Sequence, residues 1–261
     1  MKEDMFSKRR NRFLLFGILL FLLTFGSILI TEYEVVKGFT SVPKAIRWMF
    51  SSFYPNQASL GKLPSILEKL KDTINMSIAA TTVSSCFALV LAILGSKTTR
   101  VNNLFSVISR FIASVFRNIP IVAWAMVLLF SFGQSDFTGY LALFFVTFGF
   151  LTRAFIETID EASFSSVEAL RATGASYFHI IFQAVFPSSI PQLISWILFM
   201  IETNIRSSTL IGILTGSGIG FSFNLYYKSM NYNAASLVVV CVVITVLIIE
   251  LISNYVRRVI L

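Results

Sequence analysis

The chain is short of the residues that do most solution chemistry: it has one histidine, two cysteines and only 13 acidic residues in 261. His179 stands alone, with no second ligand near it, so neither a zinc centre nor a proton relay is expected. Cys86 and Cys241 fall inside apolar runs without a CxxC spacing, and read as small core residues rather than a disulfide or a metal site. A GxxxxGK[ST] phosphate loop is missing. Gly216, Gly218 and Gly220 do not replace it, because GxGxG is the wrong spacing for a dinucleotide fingerprint and no soluble βαβ unit surrounds it. No internal repeat or low-complexity tract is evident, so nothing suggests an inverted-repeat carrier.

What the chain has instead is apolar length. Apolar residues make up 56% of the sequence and charged residues 13%. A bilayer core of about 30 Å needs roughly 20 helical residues, and several runs meet that requirement. Six spans are expected near residues 13–30, 73–94, 104–132, 137–156, 190–214 and 234–255. The net charge of +8 does not indicate nucleic acid, because Lys and Arg cluster beside the apolar runs, as they do where they orient a membrane protein. Lys8, Arg9, Arg10 and Arg12 precede the first run, and no small-x-small cleavage site follows it before Glu32, so it reads as a retained helix. Lys97, Arg100, Arg257 and Arg258 place further ends inside, which puts both termini in the cytoplasm. Lys37, Lys44, Arg47, Lys62, Lys69 and Lys71 on the segment 33–72 oppose that orientation. That segment carries Pro43, Pro55 and Pro64 as breakers and is expected outside, with short interfacial helices around 45–50 and 65–70. The chain then divides into 1–72, holding the N-terminal tail, first span and external segment, and 73–261, holding the core spans.

The polar segment 157–188 is the most informative. Ser163 to Ser166 precede a short helical stretch, Val167 to Thr173, that Gly174 is placed to end, and a second helix, about Ser176 to Val185, runs up to Pro187. Two stiff helices meeting at a glycine make a bracket suited to a groove on a partner; loop composition alone favours an ordinary helix-turn-helix connection. The spacing separates the two. Glu168-Ala169-Leu170, three residues, Gly174, nine residues, then Ala184, Val185 and Phe186-Pro187 resembles the cytoplasmic coupling loop of binding-protein-dependent ABC importers. Ala184 stands where that pattern usually has Ile, and Phe186 where it usually has Leu; both stay apolar.

More of the chain is similar to one branch of those importers, the phosphonate and phosphite permeases. Glu168 to Ser176, Pro187 to Gln192, Glu202 to Gly212 and Gly216 to Gly220 carry the likeness, with Trp48-Met49-Phe50, Thr73 to Met76, and Arg117-Asn118-Ile119-Pro120 with Trp124. The turn at Arg117 also resembles one in methionine permeases. The resemblance implies an all-α integral membrane protein with about six transmembrane helices, built like a type I ABC importer permease. It implies a homodimer in the cell membrane, two ABC ATPase subunits docked on the loop through Glu168, Ala169, Leu170, Gly174, Ala175, Phe186 and Pro187, and an external substrate-binding protein. This chain then binds no cofactor and catalyses nothing; ATP and Mg belong to the partner ATPase.

Three charges lie inside expected spans, each costing on the order of 2.5–3.5 kcal/mol on insertion scales. Glu202 and Arg206 are spaced to pair on one helical face, with Asn204, Ser207, Ser208 and Thr209 nearby. Either they form a structural ion pair, or Arg206 and its hydroxyl neighbours line the route of a phosphonate or phosphite oxyanion, which a guanidinium suits. Arg117 either shapes a helix kinked at Pro120 or meets substrate. The glycines at 216–220 form a tight turn, with or without a docked binding protein. Two other classes compete: an ion-gradient-driven anion carrier that uses Glu202 and Arg206, and a membrane scaffold without transport. Within the ABC class, another small oxyanion or an amino acid is the alternative cargo.

Overall fold

The computed structural model describes residues 2–260, with side chains from residue 8 onward, and every regular element described is helical. Backbone packing separates Met1–Phe53 from Tyr54–Leu261.

The first unit holds α1 (Lys2–Ile30) and α2 (Val35–Ser52). The basic residues 8–12 are part of α1, whose apolar side chains are exposed along its length. In α2, Val35, Phe39, Val42, Ile46, Met49 and Phe50 recur at helical spacing opposite Lys37 and Lys44. That pattern makes one long amphipathic helix where only 45–50 was expected, and Pro43 lies inside it. The periodic face outweighs the single backbone bond that a proline removes.

The second unit begins with the one-turn α3 (Gln57–Leu60), whose N-cap Asn56 and Ser59 satisfy each other's amides. The 33-residue α4 (Leu63–Gly95) follows. Residues 65–70, expected as a separate short helix, are the opening turns of α4. Pro64 starts that helix, because the first turn has no amide bond to lose.

The expected third span is two helices, α5 (Asn103–Asn118) and α6 (Ile121–Phe132), bent by 88°. Pro120 forces the residue before it into extended backbone, so Ile119 sits at φ −82°, ψ 120° and the helix cannot continue through it. The corner is packed on α7 (Asp136–Ala162). A Cβ on Gly149 would lie 2.5 Å from the Arg117 amide nitrogen, and Phe116 stacks on Trp124 at 5.3 Å.

Beyond α7 come α8 (Phe164–Ala172), α9 (Tyr177–Ile180), a π turn (Ile181–Val185) and α10 (Phe186–Thr215). The second arm of the loop was expected to stop at Pro187. It continues into α10, with Pro187 in the first turn and the widened π turn just before it, where the proline ring would otherwise strike a carbonyl. A further helix, α11 (Gly218–Lys228), precedes α12 (Tyr232–Ile260). Among the described residues, five helical stretches are long and apolar enough to cross a membrane, and the bent pair makes six if it counts as one.

Candidate functional site

Gly174 closes α8 as the sequence requires. Its φ is +76°, its amide donates to the Arg171 carbonyl at 3.0 Å, and the next amide, of Ala175, donates back to Leu170 at 3.1 Å. This paired closure satisfies the orphan carbonyls of a helix end and needs a residue in left-handed backbone. The bracket is mounted on the core rather than hung from it. Val167, Ile180, Ala184 and Val185 are buried in one cluster with Leu151, Phe155, Ile156 and Ile159 of α7, Ala88 and Ala92 of α4, and Leu193 and Met200 of α10. Leu170 and Ala175 pack against that cluster, while Glu168, Ala169 and Pro187 stay exposed and Phe186 meets Phe182 ring to ring at 5.4 Å. A push on the exposed edge therefore reaches three long helices through close-packed contacts, which deform little.

Sequence reasoning missed the clamp beside this bracket. Asp160, in the last turns of α7, accepts bonds from the Ser96 hydroxyl and Lys97 amide, both at 2.6 Å, and from the Thr98 amide at 3.2 Å. Arg110 completes it with an ion pair at 3.0 Å. Arg110 also donates to the Gly95 carbonyl at 3.0 Å, and Arg171 of α8 donates to the Thr98 carbonyl at 2.5 Å. The α4–α5 turn is thereby tied to both α7 and the bracket. A cavity of about 290 Å³ lies over it, lined by Lys97, Thr98, Asp160, Phe164, Val167, Glu168 and Arg171. One signal in the sequence pointed this way: an acid near a helix C-terminus opposes the helix dipole and needs cationic or amide partners elsewhere.

The candidate pathway residues divide by face of α10. Asn204 and Ser208 are buried and spoken for. The Asn204 amide donates to Thr81 at 2.9 Å and Thr147 at 2.7 Å, and the Ser208 hydroxyl lies 3.0 Å from that of Ser77. These bonds knit α10 to α4 and α7. Glu202 and Arg206 form the expected pair, at 2.5 Å, with the carboxylate nearly buried and the guanidinium 53% exposed. Ser207 and Thr209 are half-buried, and the Thr209 hydroxyl has no hydrogen-bond partner among the described residues.

A third charge was not foreseen. Arg257, from the end of α12, brings Nη2 to 3.8 Å from the other Glu202 oxygen. It had read only as a positive flank of the last span. Arg117 is exposed at the end of α5 with its guanidinium 5.9 Å from the centre of the Phe150 ring. Phe150 in turn meets Trp196 at 5.8 Å and Phe199 at 6.0 Å. Trp196 and Phe199 also line a cavity with Arg257, so Arg117 and Arg257 both border the same three-ring cluster of α7 and α10. With the Arg153–Glu157 pair and Glu161 of the neighbouring cavity counted, four arginines stand against three carboxylates and leave this region with a small positive excess.

The glycines at 216–220 serve close approach. Gly216 is left-handed at φ +71°, ending α10, and a Cβ on Gly220 would collide with the Thr209 carbonyl. The Ile219 amide donates to the Thr73 hydroxyl at 2.8 Å, so the start of α11 is pinned on α4.

Known proteins bear on this arrangement. The phosphite transport system permease protein PtxC of Stutzerimonas stutzeri is 28% identical over 194 residues, covering 74% of this chain and 70% of that protein. The phosphate-import permease protein PhnE of Mycolicibacterium smegmatis is 28% identical over 191 residues, 73% of this chain but only 36% of the longer relative. A solved chain of the inward-facing MetNI methionine ABC transporter superposes with a TM-score of 0.63 at 21% identity, covering 76% of this chain and 98% of that one. That likeness speaks for the fold, a type I ABC importer permease. Residues 84–260, which include the bracket, the clamp and the arginine-rich face, match the inner membrane component of binding-protein-dependent transport systems, and the chain belongs to this family of multi-pass cell-membrane permeases that work with an ATPase and a substrate-binding protein.

Proposed function

We propose that this chain is the permease subunit of an ATP-driven importer for a small phosphorus oxyanion, phosphonate or phosphite. Two copies form the pore, each docking one ATPase subunit on its bracket, with an external binding protein delivering cargo. The bracket and both termini face the cytoplasm. The cargo crosses unchanged; ATP and Mg are held by the ATPase, and this chain carries no cofactor of its own.

The observation that carries the reading is the rigid seat of the bracket: α8 and α9 leave Glu168 and Ala169 exposed while Val167 and Val185 are locked among α4, α7 and α10. Such an element can be moved from outside and moves the spans with it. The cargo class rests on the positive surround of Arg117, Arg206 and Arg257, which attracts anions, and on the relatives named for phosphite and phosphate. Arg117 serves first as the corner between α5 and α6, and its charge faces the same ring cluster.

Uptake of labelled phosphite into proteoliposomes tests this. Permease, ATPase and binding protein together are expected to import it only with ATP. Uptake by the permease alone under an ion gradient would overturn the reading in favour of a secondary carrier.

A further inference from the structure

We infer that Arg257, with Gln192 and Ser195, forms an oxyanion site at the inner part of the route, and that the Glu202 carboxylate is the internal anion the cargo displaces. The inference rests on the import reading above and names the residues that release the cargo.

Arg257 is unusually placed. Its Nε and Nη2 are buried with no hydrogen-bond partner among the described residues, and Nη1 reaches Asn254 only at 3.5 Å. Glu202 does not make up the deficit. Its Oε1 is held by Arg206 at 2.5 Å on its own helix, while its Oε2 stays 3.8 Å from Arg257, outside hydrogen-bond reach. Buried donors left unmet are costly, and charged ones more so.

Arg257 also lines a cavity of about 240 Å³, together with Gln192, Ser195, Trp196 and Phe199. Its chemistry selects the ligand. A guanidinium excludes cations, and it matches two oxygens of a tetrahedral anion with parallel N–H groups. The Gln192 amide and the Ser195 hydroxyl add donors for the remaining oxygens once Ser195 leaves the Pro191 carbonyl, to which it donates at 3.1 Å. Trp196 and Phe199 give the cavity an apolar wall, beside which the charge interaction is less screened than in bulk water. A neighbouring cavity shares Gln192 and Trp196 and is lined by Glu157 and Glu161; Glu157 is paired with Arg153 at 2.6 Å, which leaves Glu161 to disfavour an anion there. Glu202 keeps the hold weak by competing for the same guanidinium, which an exit site needs.

The test uses the whole complex in nanodiscs, and the Trp196 signal is taken as the difference in emission between this complex and one carrying Trp196→Phe. Inorganic phosphite is titrated at constant ionic strength, with chloride as the control. A saturable change in Trp196 emission is expected, weakened at least tenfold in Arg257→Gln. Glu202→Gln is expected to tighten that response and to lower both KM and kcat of uptake, a combination that a merely structural ion pair does not produce. An equal response in Arg257→Gln, or one matched by chloride, overturns the site. If Arg257→Gln does not insert, Arg257→Lys is read instead: a several-fold weaker response supports the site, and an unchanged one overturns it. Uptake by the wild-type complex without any saturable Trp196 signal sinks this inference and leaves the import reading standing; a saturable signal without ATP-driven uptake does the reverse.

Discussion

Asp160 and Glu202 are both acids within the helical core, and their surroundings are opposite. Asp160 has more donors than it needs: a hydroxyl, two backbone amides and Arg110 converge on it, and every part of the knot is tied to backbone. Glu202 shares itself between two guanidiniums on side chains that can move, one half-exposed and the other with donors to spare. The first arrangement holds one geometry. The second can exchange partners. A saturated carboxylate beside the bracket and an undersupplied set of cations beside the proposed pathway suit a machine in which one end must transmit force rigidly and the other must bind and let go.

Removing Asp160 should have the largest effect. Asp160→Ala strands the Arg110 charge and the amides of the α4–α5 turn, a loss on the order of 3–5 kcal/mol. Folded yield in detergent should drop sharply, and ATP-driven uptake per folded protein more than tenfold. If Glu202→Ala proved the more destabilising of the two, the contrast would be broken. Next is Asn204→Leu, which removes the bonds to Thr81 and Thr147 and should cost about 1–3 kcal/mol in thermal unfolding. Uptake per folded molecule should stay near wild type, because Asn204 faces the bundle interior rather than the arginines.

Arg206→Ala sharpens the comparison from the other side. Yield should fall modestly, because Glu202 is left with only Arg257 at 3.8 Å, while phosphite uptake per folded protein falls about tenfold, equivalent to about 1.4 kcal/mol. Normal transport in both Arg206→Ala and Arg206→Lys at wild-type abundance would remove Arg206 from the route. The smallest effect belongs to Gly174→Val. A Cβ there meets nothing within 4 Å, so the penalty is the backbone alone, about 1–2 kcal/mol for a branched residue in left-handed backbone. It should appear as ATP hydrolysis that outruns uptake by two- to threefold.

The bracket was legible because everything that defines it is local: a helix-length stretch, a glycine able to take positive φ, and fixed intervals to Pro187. The Glu202–Arg206 pair was legible for the same reason, being one turn apart. Pro120 announced a break, yet not its 88° angle, which depends on Gly149 letting the backbone of α5 press against α7. Pro43 and Pro64 were misread as breakers because a proline's cost depends on its position: Pro64 opens α4, and Pro43 sits in a helix held by its amphipathic face. Asp160, Arg110 and Arg257 could not be assigned their roles, since each finds its partner on another helix, in the case of Arg257 across α11 and most of α12.

The sequence by itself determined the solvent, the helical class and the helix–glycine–helix bracket, because apolar length and short-range spacing act within one or two turns of chain. Which polar side chains are consumed in packing and which stay available was decided only by tertiary structure. On one stretch of α10, Asn204 and Ser208 turn towards α4 and α7 and find partners, whereas Glu202 pairs with Arg206 and faces an arginine from α12. The helical repeat separates these faces, but only the neighbours packed against each face say which is closed and which can bind.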